Sequence, residues 1–285
     1  MTLHFKALQR FLAKNAGLAL DAGKIYLAES RLLPLAERSG FADVDSLLLQ
    51  LQYGTDPELA RAAIEAMTTH ETLFFRDRKP FELFRSLMLP KLMEARAQAK
   101  KLRIWCAACS TGQEPYSLAM VLDEEAKKLA GWNIEIVATD ISHAVLDAAR
   151  RGAYSQFEVQ RGLPISSLLR YFRREGENWR LSEHLRARVD FRQHNLINDY
   201  GRLGRFDIIF CRNVLIYFDA DTRADVLARM GPQLDESGYL VLGASESIVG
   251  AVPGLRPLPF QAAMGVRGAV PGANVLEAPQ SAWVH

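Results

Sequence analysis

Three groups of polar side chains stand where apolar runs of this chain end, and their types suit a nucleoside carrying a charged tail. Arg103-Ile-Trp-Cys-Ala-Ala-Cys-Ser-Thr-Gly-Gln-Glu-Pro-Tyr-Ser117 reads as a buried strand, a loop of small residues and a helix start. Ile134-Glu-Ile-Val-Ala-Thr-Asp140 reads as a second buried strand closing on a carboxylate. Ligands of a parallel α/β sheet bind at the carboxyl ends of its strands, where an acid ending the second strand can accept from both ribose hydroxyls. The loop decides which cofactor fits. A pyrophosphate needs several glycines so that backbone N–H groups can approach it, and Gly112 is the only glycine between Ala107 and Glu114. Glu114 would repel a phosphate and attract an amine. S-adenosylmethionine has adenosine, an amino acid end and no phosphate, so it fits better than NAD or ATP.

The second group follows Arg205-Phe-Asp-Ile-Ile-Phe-Cys-Arg-Asn-Val-Leu-Ile-Tyr-Phe218, a buried strand that emits Arg212, Asn213 and Tyr217 at its carboxyl end. A transferable methyl group would sit there. Arg212 and Asn213 could instead cap the next element, but three polar groups at the ligand edge favour function. The third group is looser. Asn195 follows the strand-like Val189-Asp-Phe-Arg-Gln-His194, where such sheets hydrogen-bond an adenine edge, although a lone Asn there is more often a turn residue. Thr72 and Arg76 are four apart in Thr68-Thr-His-Glu-Thr-Leu-Phe-Phe-Arg76, a spacing that predicts one helical face. Arg76 could hold the carboxylate of a methionine moiety, or pair with Asp77.

Other candidates carry less. Cys106-Ala-Ala-Cys109 has redox or metal spacing, but Cys106 lies in a strand and no second pair completes a metal set. With Cys211 nearby, these read as small buried thiols, and no metal is expected. The histidines at 4, 70, 143, 184 and 194 show no ligand spacing. Lys24, Arg31 and Arg38 are seven apart and would line one side of a continuous helix, unless Pro34 breaks it. Such a stripe is a docking face for an acidic helical partner or an ordinary solvated face.

Composition sets the frame for these residues. At 285 residues, 49% hydrophobic and 24% charged, the chain is an ordinary globular protein with room for a second small domain. A net charge of +2 gives no global case for nucleic acid. No run approaches a membrane helix in length, and charges interrupt the N-terminus too often for a signal peptide. Three cysteines do not suggest a disulfide framework, so the cytoplasm is the expected compartment.

Apolar residues recur at helical spacing in Leu3, Phe5, Leu8, Phe11 and Leu12, and again in Leu32, Leu33 and Leu35. Thr55-Asp56-Pro57 is a helix start with Asp56 as N-cap. A helical run from Pro80 to about Ala99 leads into alternating elements: 103–108, 115–130, 134–139, 142–151, 206–211, 221–234 and 238–243. That alternation predicts a parallel, doubly wound sheet. Residues 153–193 break the rhythm with short alternating runs and predict a small antiparallel insert. Phe260 to Val266 is expected to add a last edge strand. The predicted units are therefore 1–80 helical, 81–102 connecting helix, 103–267 the α/β domain with its insert, and 268–285 a disordered tail.

TTHETLFFRD, WCAACSTGQEPYS, VATDIS and FDIIFCRNVLIYFD, in this order and spacing, resemble the chemotaxis receptor methyltransferase family (CheR-type, protein-glutamate O-methyltransferases). The resemblance runs from the N-terminal helices to about residue 266. It implies a Rossmann-like class I S-adenosylmethionine-dependent methyltransferase domain with a small antiparallel β insert, preceded by an all-helical domain. It also implies methyl transfer to specific glutamates on the cytoplasmic coiled coils of chemoreceptors, with S-adenosylhomocysteine as product. Carried over, Thr72 and Arg76 would contact the methionine portion, with His70 beside them. Glu114 would hold the amino group, Asp140 the ribose, and Asn195 and Leu196 the adenine. Arg212, Asn213 and Tyr217 would line the transfer edge, with Tyr217 and an arginine, Arg76 or Arg212, positioning the substrate carboxylate. There are two departures. His70 stands where many members have Asn, and the insert turn Glu175-Gly-Glu-Asn178 is short, whereas members that grip a receptor C-terminal pentapeptide carry a longer, Gly-rich loop.

These readings predict a monomer that needs no pentapeptide tether and does not insert into membranes. A nucleic-acid methyltransferase is the enzymatic rival. Methylation of base amines usually goes with Asn/Asp-Pro-Pro-aromatic after the fourth strand, where this chain has Cys211-Arg-Asn-Val214 and no basic run interleaved with aromatics. A non-catalytic receptor-docking protein that binds S-adenosylmethionine is the rival from another class.

Overall fold

The computed structural model describes residues 3–248, 252, 254–258 and 261–267. The expected tail at 268–285 and Phe260 lie outside the described residues. Four helices come first: α1 (Leu3–Ala16), α2 (Ile25–Arg38), α3 (Val44–Tyr53) and α4 (Pro57–Met67). Asp43 caps α3 through Ser46 N at 2.7 Å, and Asp56 caps α4 through Glu58 N at 2.9 Å. Their apolar stripes meet in one core of Phe5, Leu8, Leu12, Leu32, Leu35, Leu47, Leu59 and Ala63. Pro34 does not break α2; it only withholds the one backbone hydrogen bond that proline cannot donate.

The run from Thr68 to Asp77 is not a helix. It leaves α4 as an extended linker and then turns, with Phe75, Asp77 and Arg78 at φ of 51°, 67° and 44°. Nor is the next run one helix to Ala99. It is α5 (Lys79–Leu83), a π turn at Phe84–Met88 and α6 (Leu89–Ala95). Pro90 lacks an N–H and crowds the carbonyl four residues back, which accounts for the displaced ladder just before it. Phe81, Phe84, Met88, Leu89 and Leu92 carry this segment into the main core.

The α/β domain follows as β1 (Lys101–Ala107), α7 (Gln113–Glu124), β2 (Asn133–Asp140) and α8 (His143–Arg151). The insert comprises β3 (Ala153–Ser155), α9 (Gln156–Gln160), α10 (Ile165–Tyr171), β4 (Phe172–Glu175), β5 (Asn178–Leu181) and α11 (Glu183–Arg186). Then come β6 (Val189–Gln193), β7 (Phe206–Cys211), α12 (Ala220–Met230), β8 (Leu234–Leu242), β9 (Leu255–Leu258) and β10 (Gln261–Arg267). The main sheet has the order β6-β2-β1-β7-β8-β10-β9, and the insert forms a three-stranded antiparallel sheet, β3-β5-β4. Strands from β6 through β8 pair in parallel, while β10 and β9 are antiparallel.

Two strand expectations need correction. Val189–Gln193 is not part of the insert; it pairs in parallel with β2 at one edge of the main sheet. The strand reaching Val266 is not the edge either, because β9 lies outside it. The carboxyl ends of β1, β2, β6 and β7, at Ala107, Asp140, Gln193 and Cys211, fall along one rim. Among the described residues no helix is long and apolar enough to cross a membrane.

Candidate functional site

A cleft of about 920 Å³, counted out to open solvent, lies over that rim. His70, Thr72, Arg76, Glu114, Asp140, Asn195, Leu196, Arg212, Asn213 and Tyr217 all line it. The linker forms one wall, the strand ends the floor, and Ala16 and Leu18 close it from the helical domain.

The floor begins with a tight loop. Ala108 and Ser110 adopt left-handed φ of 56° and 51°, and Gly112 follows at 93°. Non-glycine residues held there cost on the order of 1–3 kcal/mol each, so partners must hold the turn. Cys109 N donates to Thr139 O at 2.9 Å, and Ser110 N donates to Asp140 Oδ2 at 2.8 Å. Ser142 N donates to Asp140 Oδ1 at 3.1 Å. Each carboxylate oxygen thus keeps a further acceptor site, as a ribose diol requires.

Glu114 stands in the first turn of α7 and is nearly buried. Its Oε2 accepts from Arg212 Nη1 at 2.7 Å, while Oε1 accepts from no protein group among the described residues. Arg212 is more committed. Its side chain is 2% exposed, and Nη2 donates to Asp77 Oδ2 at 2.7 Å and to Arg76 O at 2.8 Å. The guanidinium therefore ties the linker to α7 through its two Nη groups, while its buried Nε–H has no partner among the described residues. Arg76 is freer: it donates to Glu71 O at 3.0 Å, and the expected alternative partner, Asp77, is taken by Arg212. Thr72 and Arg76 share the cleft wall without sharing a helix.

At the other end, Asn195 donates to Asn15 O at 2.6 Å and accepts from Ile197 N at 3.2 Å. Its side chain thus joins α1 to the turn after β6 and keeps one amide hydrogen. Beside it, His194 Nε2 is buried without a hydrogen-bond partner, and burial lowers the pKa of this histidine. An orphaned ring nitrogen, an open carboxylate oxygen on Glu114 and spare acceptors on Asp140 fit S-adenosylmethionine: heterocycle, ammonium and ribose, with no phosphate cradle.

Asn213 sits at φ 59°, and its N–H donates to Glu246 Oε2 at 3.1 Å. The same oxygen accepts from Gly243 N at 2.6 Å. A Cβ on Gly243 would lie 2.7 Å from Asn213 Nδ2, so glycine is required for this approach. Tyr217 ends a 3-10 turn whose carbonyl accepts from Ala19 N at 2.8 Å, next to a bridge between Leu18 and Phe218. Sequence reasoning missed Ser110, Asp77, His194 and Glu246. Only position after β6 hinted at His194, and nothing local marks Glu246, which acts across 33 residues.

Burial raises the pKa of both Glu114 and Asp140; Arg212 opposes the shift in the first, and the N–H groups of Ser142 and Ser110 oppose it in the second. A bound ammonium favours ionised Glu114 and lowers its pKa again. With the cofactor's ammonium at Glu114, affinity is expected to be full above the raised pKa and to be lost as pH falls through it. The decline should begin above the ordinary carboxylate value of 4.5. Calorimetry of S-adenosylhomocysteine from about pH 8 downward tests this; affinity constant to the ordinary carboxylate range would contradict it.

The CheR all-alpha domain family matches residues 3–68, and the CheR methyltransferase SAM-binding domain family matches residues 70–261. Chemotaxis protein methyltransferase 1 of Pseudomonas aeruginosa is 44% identical over 86% of this chain and 90% of its own length. Chemotaxis protein methyltransferase Cher2 of Pseudomonas putida is 41% identical over 87% of this chain and 91% of its own. A chemotaxis protein methyltransferase of Vibrio parahaemolyticus is 41% identical over 86% and 90%. With a helical domain ahead of a Rossmann-like sheet and a cleft suited to S-adenosylmethionine at its rim, this chain belongs to the CheR methyltransferase family and is an S-adenosylmethionine-dependent methyltransferase.

Proposed function

We propose that the protein transfers the methyl group to glutamate side chains on the helical cytoplasmic region of chemoreceptors, forming methyl esters. The observation that carries this reading is the transfer edge: Arg76, Asn213 and Tyr217 line one cleft with Glu114 and Asp140. A cation and a phenol suit a carboxylate acceptor, and the edge lacks the proline-aromatic platform that a flipped base stacks on.

When bound, S-adenosylmethionine supplies an electrophilic methyl group on a sulfonium. A substrate glutamate, with a pKa of roughly 4.3, is already ionised at neutral pH, so no side chain need act as a base. Opposite charges cancel as the bond forms, so the protein helps most by orienting the carboxylate and excluding water. In this reading Arg76 and Tyr217 orient the acceptor. Arg212, whose Nη groups bond Glu114, Asp77 and Arg76 O, holds Glu114 toward the ammonium and fixes the linker that carries Arg76.

Recognition follows from the insert. β4 and β5 are joined only by Gly176 and Glu177, which leaves no loop to fold over an added peptide strand. The protein would then work as a cytoplasmic monomer without a pentapeptide tether, with exposed Lys24 and Arg38 favouring approach to acidic receptor helices.

Transfer of labelled methyl to receptor cytoplasmic fragments, as base-labile ester, tests the assignment; label on nucleic acid, or on neither, would sink it. Tyr217→Phe should lower kcat by on the order of 10–100-fold with S-adenosylhomocysteine affinity unchanged. Full activity at saturating cofactor would remove the positioning role of Tyr217.

A further inference from the structure

Arg31 parts company with the basic stripe in which its spacing places it. Lys24 and Arg38 are exposed, whereas Arg31 is half-buried and turned onto the end of α4. Its Nη1 donates to Met67 O at 2.8 Å and Thr68 O at 3.2 Å, and Nη2 donates to Thr69 Oγ1 at 3.1 Å. Carbonyls at a helix C-terminus are partly negative and short of partners, so a cation is well placed there. The three acceptors belong to consecutive residues, which a planar fork can bridge and a point charge cannot.

These residues lead straight to the cleft, because Thr68, Thr69 and His70 line it. Thr68 Oγ1 donates to Glu65 O at 2.8 Å and lies 2.8 Å from His70 Nε2, within hydrogen-bond distance of that ring nitrogen. His70 O in turn accepts from Ser110 Oγ at 2.7 Å, and Ser110 N holds Asp140 Oδ2 at 2.8 Å. An unbroken set of contacts thus runs from α2 through the linker to the acid at the end of β2.

We propose that Arg31 is a positioning residue for the cofactor cleft, which fixes the Thr68–His70 wall, and through Ser110 the Asp140 loop, from outside the α/β domain. The proposal rests on reading that cleft as the cofactor site. It also divides the basic stripe: Lys24 and Arg38 remain available to a partner, and Arg31 does not.

The test compares Arg31→Lys, Arg31→Gln and Arg38→Gln by calorimetry with S-adenosylhomocysteine, well below the melting temperature of each. The fork requirement predicts that Arg31→Lys and Arg31→Gln both bind about tenfold more weakly, roughly 1.4 kcal/mol, while Arg38→Gln binds as the parent does. Arg31→Lys at parental affinity would overturn the proposal, since charge alone would suffice. Lower melting temperatures with unmoved affinities would also overturn it, leaving Arg31 a packing residue. Arg31→Lys decides the matter even where Arg31→Gln does not fold. Parental protein without affinity for S-adenosylhomocysteine would bring down the cleft reading itself, an outcome distinct from failure of the Arg31 role alone.

Discussion

Replacing Arg212 by glutamine is expected to lower the unfolding free energy by about 3–5 kcal/mol and to weaken cofactor binding at the same time. The large effect follows from what is left behind. Glu114 would lose its counter-ion while staying almost buried, and Asp77 and Arg76 O would lose the group that fastens the linker to α7. Two circumstances favour the lower end of the range: Asp77 is 38% exposed and can rehydrate, and Glu114, whose pKa burial already raises, can take up a proton. Adding Glu114→Gln to the Arg212 variant should therefore cost less than the two single losses summed, because no uncompensated charge remains. Urea unfolding of the four proteins measures this; a single-variant loss under about 1 kcal/mol would mean that the buried pair contributes no more than a surface one.

Asp140→Ala is expected to reduce S-adenosylhomocysteine affinity by a factor on the order of 10²–10⁴, from two charged hydrogen bonds at roughly 1.5–3 kcal/mol each. It should also destabilise the protein. Read from sequence, this acid serves only the ligand; in the structure it also accepts from Ser110 N and Ser142 N. Alanine leaves both donors without that acceptor, at about 1–3 kcal/mol apiece where they stay buried. Asp140→Asn keeps one accepting oxygen and should recover part of the stability but little of the affinity. Calorimetry and thermal melts on the pair separate the two roles. Unchanged binding in either variant would take Asp140 out of the site.

Legibility followed how far away a residue's partners lie. β1, β2 and β7 could be read because their residues are largely buried on both faces and stand out as apolar runs. Asp140, Glu114 and Tyr217 could be placed near the rim because the first ends β2 and the other two follow closely after β1 and β7. β6 was misread for a physical reason: an edge strand alternates buried and exposed positions, and alternation suggests a half-solvated antiparallel sheet. The linker defeated pattern reading differently. Its groups are satisfied from afar, Met67 O and Thr68 O by Arg31, His70 O by Ser110, Phe75 N by Ser117 Oγ and Arg76 O by Arg212. Those bonds stand in for a helical ladder, and no local spacing reveals them. Arg31 was misassigned on the same ground, since its seven-residue spacing from Lys24 and Arg38 says nothing of the linker it reaches.

The bridge between Leu18 and Phe218 has a consequence for the order in which the molecule becomes competent during its synthesis. The first four helices hold a core of their own and can fold while the rest of the chain is still being made. Leu18 and Asn15, however, wait for partners at Phe218 and Asn195. The difference 218 − 18 is 200 residues, which at about 5–20 residues per second is roughly 10–40 s of translation. Over that interval the helical domain waits on the ribosome with the edge of an unfinished cleft, which is completed only once Phe218 has been made.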